Sequence, residues 1–450
     1  MAALTGGADP VARARLRVPR LDGIRGLCAM AVVITHVAFA TIVLSSQAGP
    51  PKEGIWSILA AGQVGAIGPF FILSGLLLYR PFARMSIAGA PKPNLKIFFV
   101  RRAARLLPAF WLVTTACILV LNLTSIESLW DLVRPYLLLH IYDSHYYAGL
   151  DVAWTVPTET QFYLVLPLLA LLMHRLARGV TDPVAKVRRM SIPLVVLVAV
   201  QFVWTWHLNA HFSTWPPEYF YPFSVSGLFA IGMGFALVAV LAEVAPERVP
   251  GYYRLARSRP NLFWLGALVM YGINCAQPFA TPGTADWLSP EAALVRCVLL
   301  LAFTFLLMVP LVVPDASSKL MEAVLSNGPM RYLGRISYGI YLWHFSIMYL
   351  VFESGSIFGA PPVPVQMLLG KFGFWELILP VVVGTIAISS VSYYLVERPI
   401  IQLGERLVAR WRVAPVAVTP AGDASTATYE PVAPAAQPAP VPTAPSSLTR

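Results

Sequence analysis

Three groups of ionisable residues lie on segments of the chain that are otherwise apolar. The first is in RLDGIRGLCAMAVVITHVAFA, residues 20–40, which carries Asp22, Arg25 and His36. Arg25 and His36 are eleven positions apart, which on a helix is about 20° from a whole number of turns and a rise of about 16 Å. They therefore share one face, with the arginine near the cytoplasmic end and the histidine at mid-membrane or above. Ionisable groups inside a span cost a few kcal/mol each and mark a cavity, a relay or a substrate path. A neutral imidazole costs less, and hydrogen-bonded packing also accounts for a histidine there. The second group is in FFVRRAARLLPAFW, residues 98–111, where Arg101, Arg102 and Arg105 stand at the cytoplasmic mouth of a span. Basic anchors are ordinary at that place, but the spacing Arg102-x-x-Arg105 puts two guanidinium groups on one helical face. Such a fork suits phosphate or a phosphorylated cofactor. With Arg25 the arginines form a basic set at one membrane surface, whose natural partner is an anionic cytosolic ligand. The third group is in DVAWTVPTETQFYLVLPLL, residues 151–169, with Glu159 at the outer start of a further span. A carboxylate there caps a helix N-terminus or, if the bundle brings it near His36, orients the imidazole or holds a sugar hydroxyl.

The elements that must position these residues are membrane spans. The 450 residues are 57% hydrophobic and 12% charged, against about a quarter charged in soluble domains. Ten apolar runs have spanning length: about 22–43, 58–79, 103–121, 160–176, 190–206, 222–243, 261–280, 294–314, 331–352 and 376–396. They are continuously apolar, which excludes the alternating pattern of a membrane barrel. The expected fold is an all-α polytopic bundle of about ten transmembrane helices with both termini cytoplasmic. Threaded that way, every Lys and Arg falls on the cytoplasmic side or its span ends except Lys52, Arg134, Arg296 and Lys371, as the positive-inside rule requires. The net charge of +11 therefore reports topology and attraction to anionic lipid heads or an anionic cofactor, and carries no argument for nucleic acid.

The chain reads as three parts. Residues 1–20 are a basic cytoplasmic segment, residues 21–412 the membrane domain, and residues 413–450 a disordered Pro/Ala-rich cytoplasmic tail that cannot bury a core. The first apolar stretch has no small-residue cleavage site and should remain as a span. Cys28, Cys117, Cys275 and Cys297 lie within spans without CxxC spacing and read as buried, inert thiols. The long outer segment, about 122–159, is where a polar external substrate would meet the protein; its HIYDSH pair, His140 and His145, is a weak metal signal. Ser74-Gly75 of GPFFILSGLLLYRPF reads as close helix packing, with no nucleophile elbow. Arg335 and His344 of LGRISYGIYLWHF, and Glu397-Arg398-Pro399 of YYLVERPI, read as helix termination and interfacial anchoring.

LDGIRG with His36, FFILSG, RRAARLLPAFW, WTVPTETQFY, LGRISYGIYLWH and VERP occur in this order over about residues 20–400, and the set resembles the membrane acyltransferase-3 family, which includes O-antigen, peptidoglycan and glycolipid O-acetylases. The resemblance implies a multi-pass enzyme of the bacterial inner membrane. It would move an acyl group, acetyl first among the candidates, from cytoplasmic acyl-CoA to a hydroxyl of an envelope carbohydrate or glycolipid, without a metal. Family roles carry over onto His36 and Glu159 as catalytic residues and onto Arg25, Arg102 and Arg105 as the donor-binding set. The chain departs from the family pattern at Gly68-Pro69, where an acidic residue usually precedes FF, at Thr160 in place of a second glutamate, and at Pro157. No hydrolase-like outer domain is read in the sequence, so the chain is expected to act alone or with a partner. Under the resemblance His36 is the base that takes the hydroxyl proton, by direct transfer or through an acyl-enzyme. The rival reading is a transporter or flippase of a lipid-linked or small polar substrate, for which many spans and intramembrane charges are equally ordinary.

Overall fold

The computed structural model describes residues 10–41, 56, 58–59, 63–143, 145–213, 215–277 and 287–412, and every regular element among them is a helix. The helices that matter for the site are α1 (Pro10–Ala40), α2 (Gly68–Ala88), α3 (Leu95–Val120), α4 (Thr155–Leu176), α5 (Ile192–His211) and α6 (Ser226–Val244). They are followed by α7 (Pro260–Ala276), α8 (Pro290–Val312), α9 (Ser337–Val351), α10 (Phe374–Ser392) and α11 (Arg398–Arg412). Among the described residues eight helical segments are long and apolar enough to cross a membrane. The chain is a helical membrane protein. Each of the ten expected spans overlaps one of α1–α10, but α7 and α9, at 17 and 15 residues, fall short of the roughly 20 that a bilayer core requires. The compact unit that carries the candidate site ends at Val408.

Three boundaries differ from the sequence reading, each for a local reason. Helix α2 starts at Gly68 with Pro69 in its first turn and ends at Gly89, whose φ of 68° stops the helix. It thereby takes in Arg80 and Arg84, which the bundle neutralises by pairing both with Glu243 of α6, at 2.6 and 3.1 Å. Helix α3 begins at Leu95, capped by the Asn94 side chain accepting from the Ile97 amide at 3.2 Å. Arg102 and Arg105 are consequently seven and ten residues into the helix, about 10 and 15 Å from its start. At VERP the helix does not end: a π-helical turn, Tyr393–Glu397, precedes Pro399. This turn absorbs the missing N–H and the ring of the proline, and α11 runs on to Arg412.

The boundary expected at residue 20 falls inside α1. Residues 1–9 and the tail 413–450 lie outside the described residues, whereas 10–20 are helical and Arg20 is buried, donating to the Ala316 carbonyl at 2.6 Å and approaching Glu322 at 3.2 Å. All four cysteines are buried and unbridged.

Glycine sets how closely the helices approach. A Cβ placed on Gly75 would lie 2.5 Å from the Phe229 carbonyl oxygen, and one on Gly232 2.2 Å from that of Ile72, so α2 and α6 touch backbone to backbone. The two glycines of LDGIRG do the same for α1: Gly23 meets the Leu325 carbonyl and Gly26 that of Met330, with would-be distances of 2.0 and 2.6 Å. From the other side Gly334 meets the Asp22 carbonyl at 1.9 Å. Two apolar clusters complete the packing, one around α2, α4 and α6, the other around α1, α3, α9 and α10.

Gly334→Ala forces backbone apart and is expected to destabilise the detergent-solubilised protein by about 1–3 kcal/mol, read as a lower Tm and lower yield. Gly272→Ala, within α7 and with nothing within 4 Å of the new methyl, should leave the Tm unchanged or raise it by up to about 1 kcal/mol equivalent.

Candidate active site

A cavity of about 130 Å³ lies between α1, α2, α3, α4 and α9, and Arg25, Arg102, Arg105 and Glu159 all line it. Four of the five residues singled out in the sequence therefore meet. Arg25 lies on α1 between Gly23 and Gly26, the two glycines that press the helix against residues 325–334, and is 3.6 Å from Asp22 one turn before it. Arg102 and Arg105 project from the interior of α3, and Arg105 is the more exposed of the two. Arg101 is turned elsewhere and pairs with Glu405 of α11 at 2.6 Å, so the arginine trio of the sequence is divided between two places.

Glu159 is in the second turn of α4 and does not cap it. Its Oε1 accepts from Ser74 Oγ at 3.0 Å and its Oε2 from the Tyr163 hydroxyl at 2.7 Å. Ser74 and Tyr163 also line the cavity. The serine of SG is thus a polar partner of Glu159, while its neighbour Gly75 does the close packing. Phe70, Phe71, Tyr338 and Tyr341 make up much of the remaining wall. Three guanidinium groups against Glu159, with Asp22 beside Arg25, leave the cavity positive, and guanidinium forks bind phosphate and carboxylate oxygens well.

His36 is not part of that lining. Its Nδ1 lies 2.9 Å from Nε2 of His344, and Phe345 sets its ring edge-on at 4.9 Å. Tyr341 lines the cavity and has its ring centre 6.1 Å from that of His344, so it touches both the cavity and the histidine pair. Glu159 makes its hydrogen bonds elsewhere and the group beside His36 is His344, fully buried, which sequence reasoning assigned to anchoring. The available signal was its position in the middle of an apolar helix, the criterion that did single out His36.

The comparison with known families decides the class of the chain. A family model described as an acyltransferase domain matches residues 18–395. The chain belongs to the acyltransferase-3 family. Among curated relatives it is 24% identical over 412 residues to YrhL of Bacillus subtilis (strain 168), covering 87% of this chain and 56% of that protein. It is 26% identical over 393 residues to Nodulation protein 10 of Rhizobium leguminosarum bv. viciae, covering 80% and 89% respectively. It is 24% identical over 406 residues to the peptidoglycan O-acetyltransferase OatA of Listeria monocytogenes serovar 1/2a, covering 86% and 56%. The chain thus spans little more than half the length of YrhL and OatA. No solved structure matches it.

In this acyltransferase-3 chain the segment before α4 is folded onto α3 and α9. Tyr341 donates to the Val152 carbonyl at 2.7 Å, and Asn122 bonds both the amide and the carbonyl of Ala148, at 2.8 and 2.9 Å. Arg134 is buried and held by Asp131 at 3.0 Å, by Asp143 and by the Tyr147 hydroxyl. The hydrogen bond from the Ser128 hydroxyl, more than any charge, holds the Asp131 carboxyl below its ordinary range. The two histidines of HIYDSH part company: His140 is buried against Phe110, ring centres 5.8 Å apart, while His145 packs on Tyr147 at 4.6 Å. Asp151 accepts from the Tyr146 hydroxyl at 2.6 Å and the Gly149 amide at 3.1 Å. Burial outweighs these bonds and pushes its carboxyl up to about 6.

A carboxyl with a raised folded pKa binds a proton more readily folded than unfolded, so its contribution to stability is full below about 4 and is lost as pH rises through about 6. The part of the wild-type stability that falls between pH 4 and 7, on the order of 3 kcal/mol, is expected to vanish in Asp151→Asn, as read from Tm against pH for the two proteins.

Proposed function

We propose that the chain is a multi-pass O-acyltransferase of a bacterial inner membrane. It would carry an acyl group, acetyl first, from cytoplasmic acyl-CoA to a hydroxyl of an envelope carbohydrate or glycolipid. The observation that carries this reading is the positive cavity of Arg25, Arg102, Arg105 and Glu159 inside the membrane part of an acyltransferase-3 chain. The peptidoglycan in the name of the Listeria relative is one acceptor of the proposed class. The topology that goes with this reading has ten spans, α1–α10, within a membrane domain of residues 21–412, and both termini in the cytoplasm.

In the proposed reaction the CoA phosphates meet the guanidinium groups of Arg25, Arg102 and Arg105. The pantetheine arm covers the distance to His36, about 16 Å along α1 from Arg25. Glu159, positioned by Ser74 and Tyr163, accepts from a substrate hydroxyl. His36 takes the acceptor's proton as its oxygen attacks the thioester carbonyl; the C–S bond then breaks, and the imidazolium returns the proton to the departing thiolate. The products are the O-acyl ester and free CoA, and the catalyst is restored. Holding thioester and hydroxyl together where water is sparse supplies much of the barrier reduction.

Mass spectrometry of envelope glycans and glycolipids tests the reading in cells with the protein, without it, and with His36→Ala at matched expression. A fixed acyl mass is expected to disappear in both the null and the point mutant. Arg102→Lys and Arg105→Lys, which keep charge and lose the fork, should each lower acylation about tenfold or more. Persistence of the acyl mass in His36→Ala, with unmodified precursor collecting on one face of the membrane, would overturn the transferase in favour of transport.

A further inference from the structure

The hydrogen bonds around the histidine pair run in one direction. His344 Nδ1 lies 3.1 Å from the carbonyl oxygen of Ile340, one turn earlier on α9. A carbonyl can only accept, so Nδ1 carries the hydrogen and His344, as a neutral imidazole, presents a lone pair at Nε2. That nitrogen is 2.9 Å from His36 Nδ1, so His36 must donate from Nδ1 and present its own lone pair at Nε2. The opposite assignment would aim the His344 Nδ1 lone pair at the Ile340 oxygen, placing two acceptors in contact within a site from which His344 is wholly buried, at the cost of an unmade hydrogen bond of about 1–3 kcal/mol.

Among the described residues the groups around His36 are engaged otherwise. Phe345 meets the His36 ring with its edge, Thr35 donates to Ala31, and Glu159 is held by Ser74 and Tyr163. Among the described residues neither nitrogen of His36 is given a carboxylate partner, so an uncharged imidazole takes the place that an acid occupies in the familiar serine-hydrolase arrangement.

We propose that His344 is a positioning residue: its Nε2, fixed by the bond from Nδ1 to the Ile340 carbonyl, locks His36 as the Nδ1–H tautomer with Nε2 as the proton acceptor. The proposal rests on the reading of His36 as the base. When Nε2 of His36 takes the hydroxyl proton, the Nδ1–H bond to His344 becomes charge-assisted and shortens no path and moves no second proton. His344 keeps its own hydrogen throughout, and the proton leaves His36 Nε2 for the thiolate.

The test uses membranes containing the full chain, acetyl-CoA as the donor probe and endogenous glycan as acceptor, with protein levels matched. His344→Phe should lower the maximal rate at least tenfold with an unchanged KM for acetyl-CoA. His344→Gln, whose Oε1 can accept from His36 Nδ1, should keep the rate within about threefold. A His344→Phe rate equal to wild type while His36→Ala is inactive would overturn the positioning role and leave the transferase reading intact. An inactive His344→Gln protein at normal level would overturn it as well, and decides alone if the Phe variant fails to accumulate. Full activity in His36→Ala would remove the base assignment and this inference together.

Discussion

The charged groups of this protein reach one another because helices α1 and α2 approach their neighbours at glycine. Where Gly23, Gly26 and Gly334 bring α1 onto residues 325–334, a single methyl group would collide with main chain, which cannot rotate out of the way. The same holds for Gly75 and Gly232 between α2 and α6. In a membrane there is little hydrophobic gain from pressing one apolar helix against another, so close van der Waals contact and hydrogen bonding must hold the bundle. Arg25 enters the cavity from a helix fixed in that way, and Ser74 reaches Glu159 from another.

The cavity that results is unbalanced by construction. Glu159 faces three arginines across a space of about 130 Å³, with Asp22 beside Arg25, in a setting where a charge is poorly solvated and strongly felt. Elsewhere several arginines have carboxylate partners: Arg80 and Arg84 share Glu243, Arg101 takes Glu405, and Arg134 is enclosed by Asp131 and Asp143. In the cavity three guanidinium groups share one lining carboxylate, Glu159. This is the arrangement expected of a place that waits for an anion.

Much of this could be read from the chain. Apolar run length located ten helices, and side-chain type picked out four residues that share the cavity, because a buried cation or carboxylate is costly wherever it is put. What could not be read were the relations between segments. His344 is 308 positions from His36, and nothing local in LGRISYGIYLWHF distinguishes a histidine that bonds another histidine from one that anchors an interface. For Glu159 an apolar run starting at residue 160 leaves helix capping open beside the catalytic role; with the helix beginning at Thr155, the carboxylate is a turn inside and finds Ser74. Helix α3 likewise starts at Leu95, eight residues before the apolar run, and Asn94, preceded by Pro91 and Pro93, is a legible start signal. Pro399 reads as a stop, yet the helix continues past it behind a π turn that accommodates the ring.

Helix α9 presents Tyr338, Tyr341 and His344 at intervals of three, and each is tied to a main-chain carbonyl: Leu106, Val152 and Ile340 respectively. A carbonyl is supplied by any residue. The three polar side chains are therefore constrained in identity while the positions that anchor them are free to vary, so the inner geometry can be inherited through long sequence drift without compensating substitutions at 106, 152 or 340.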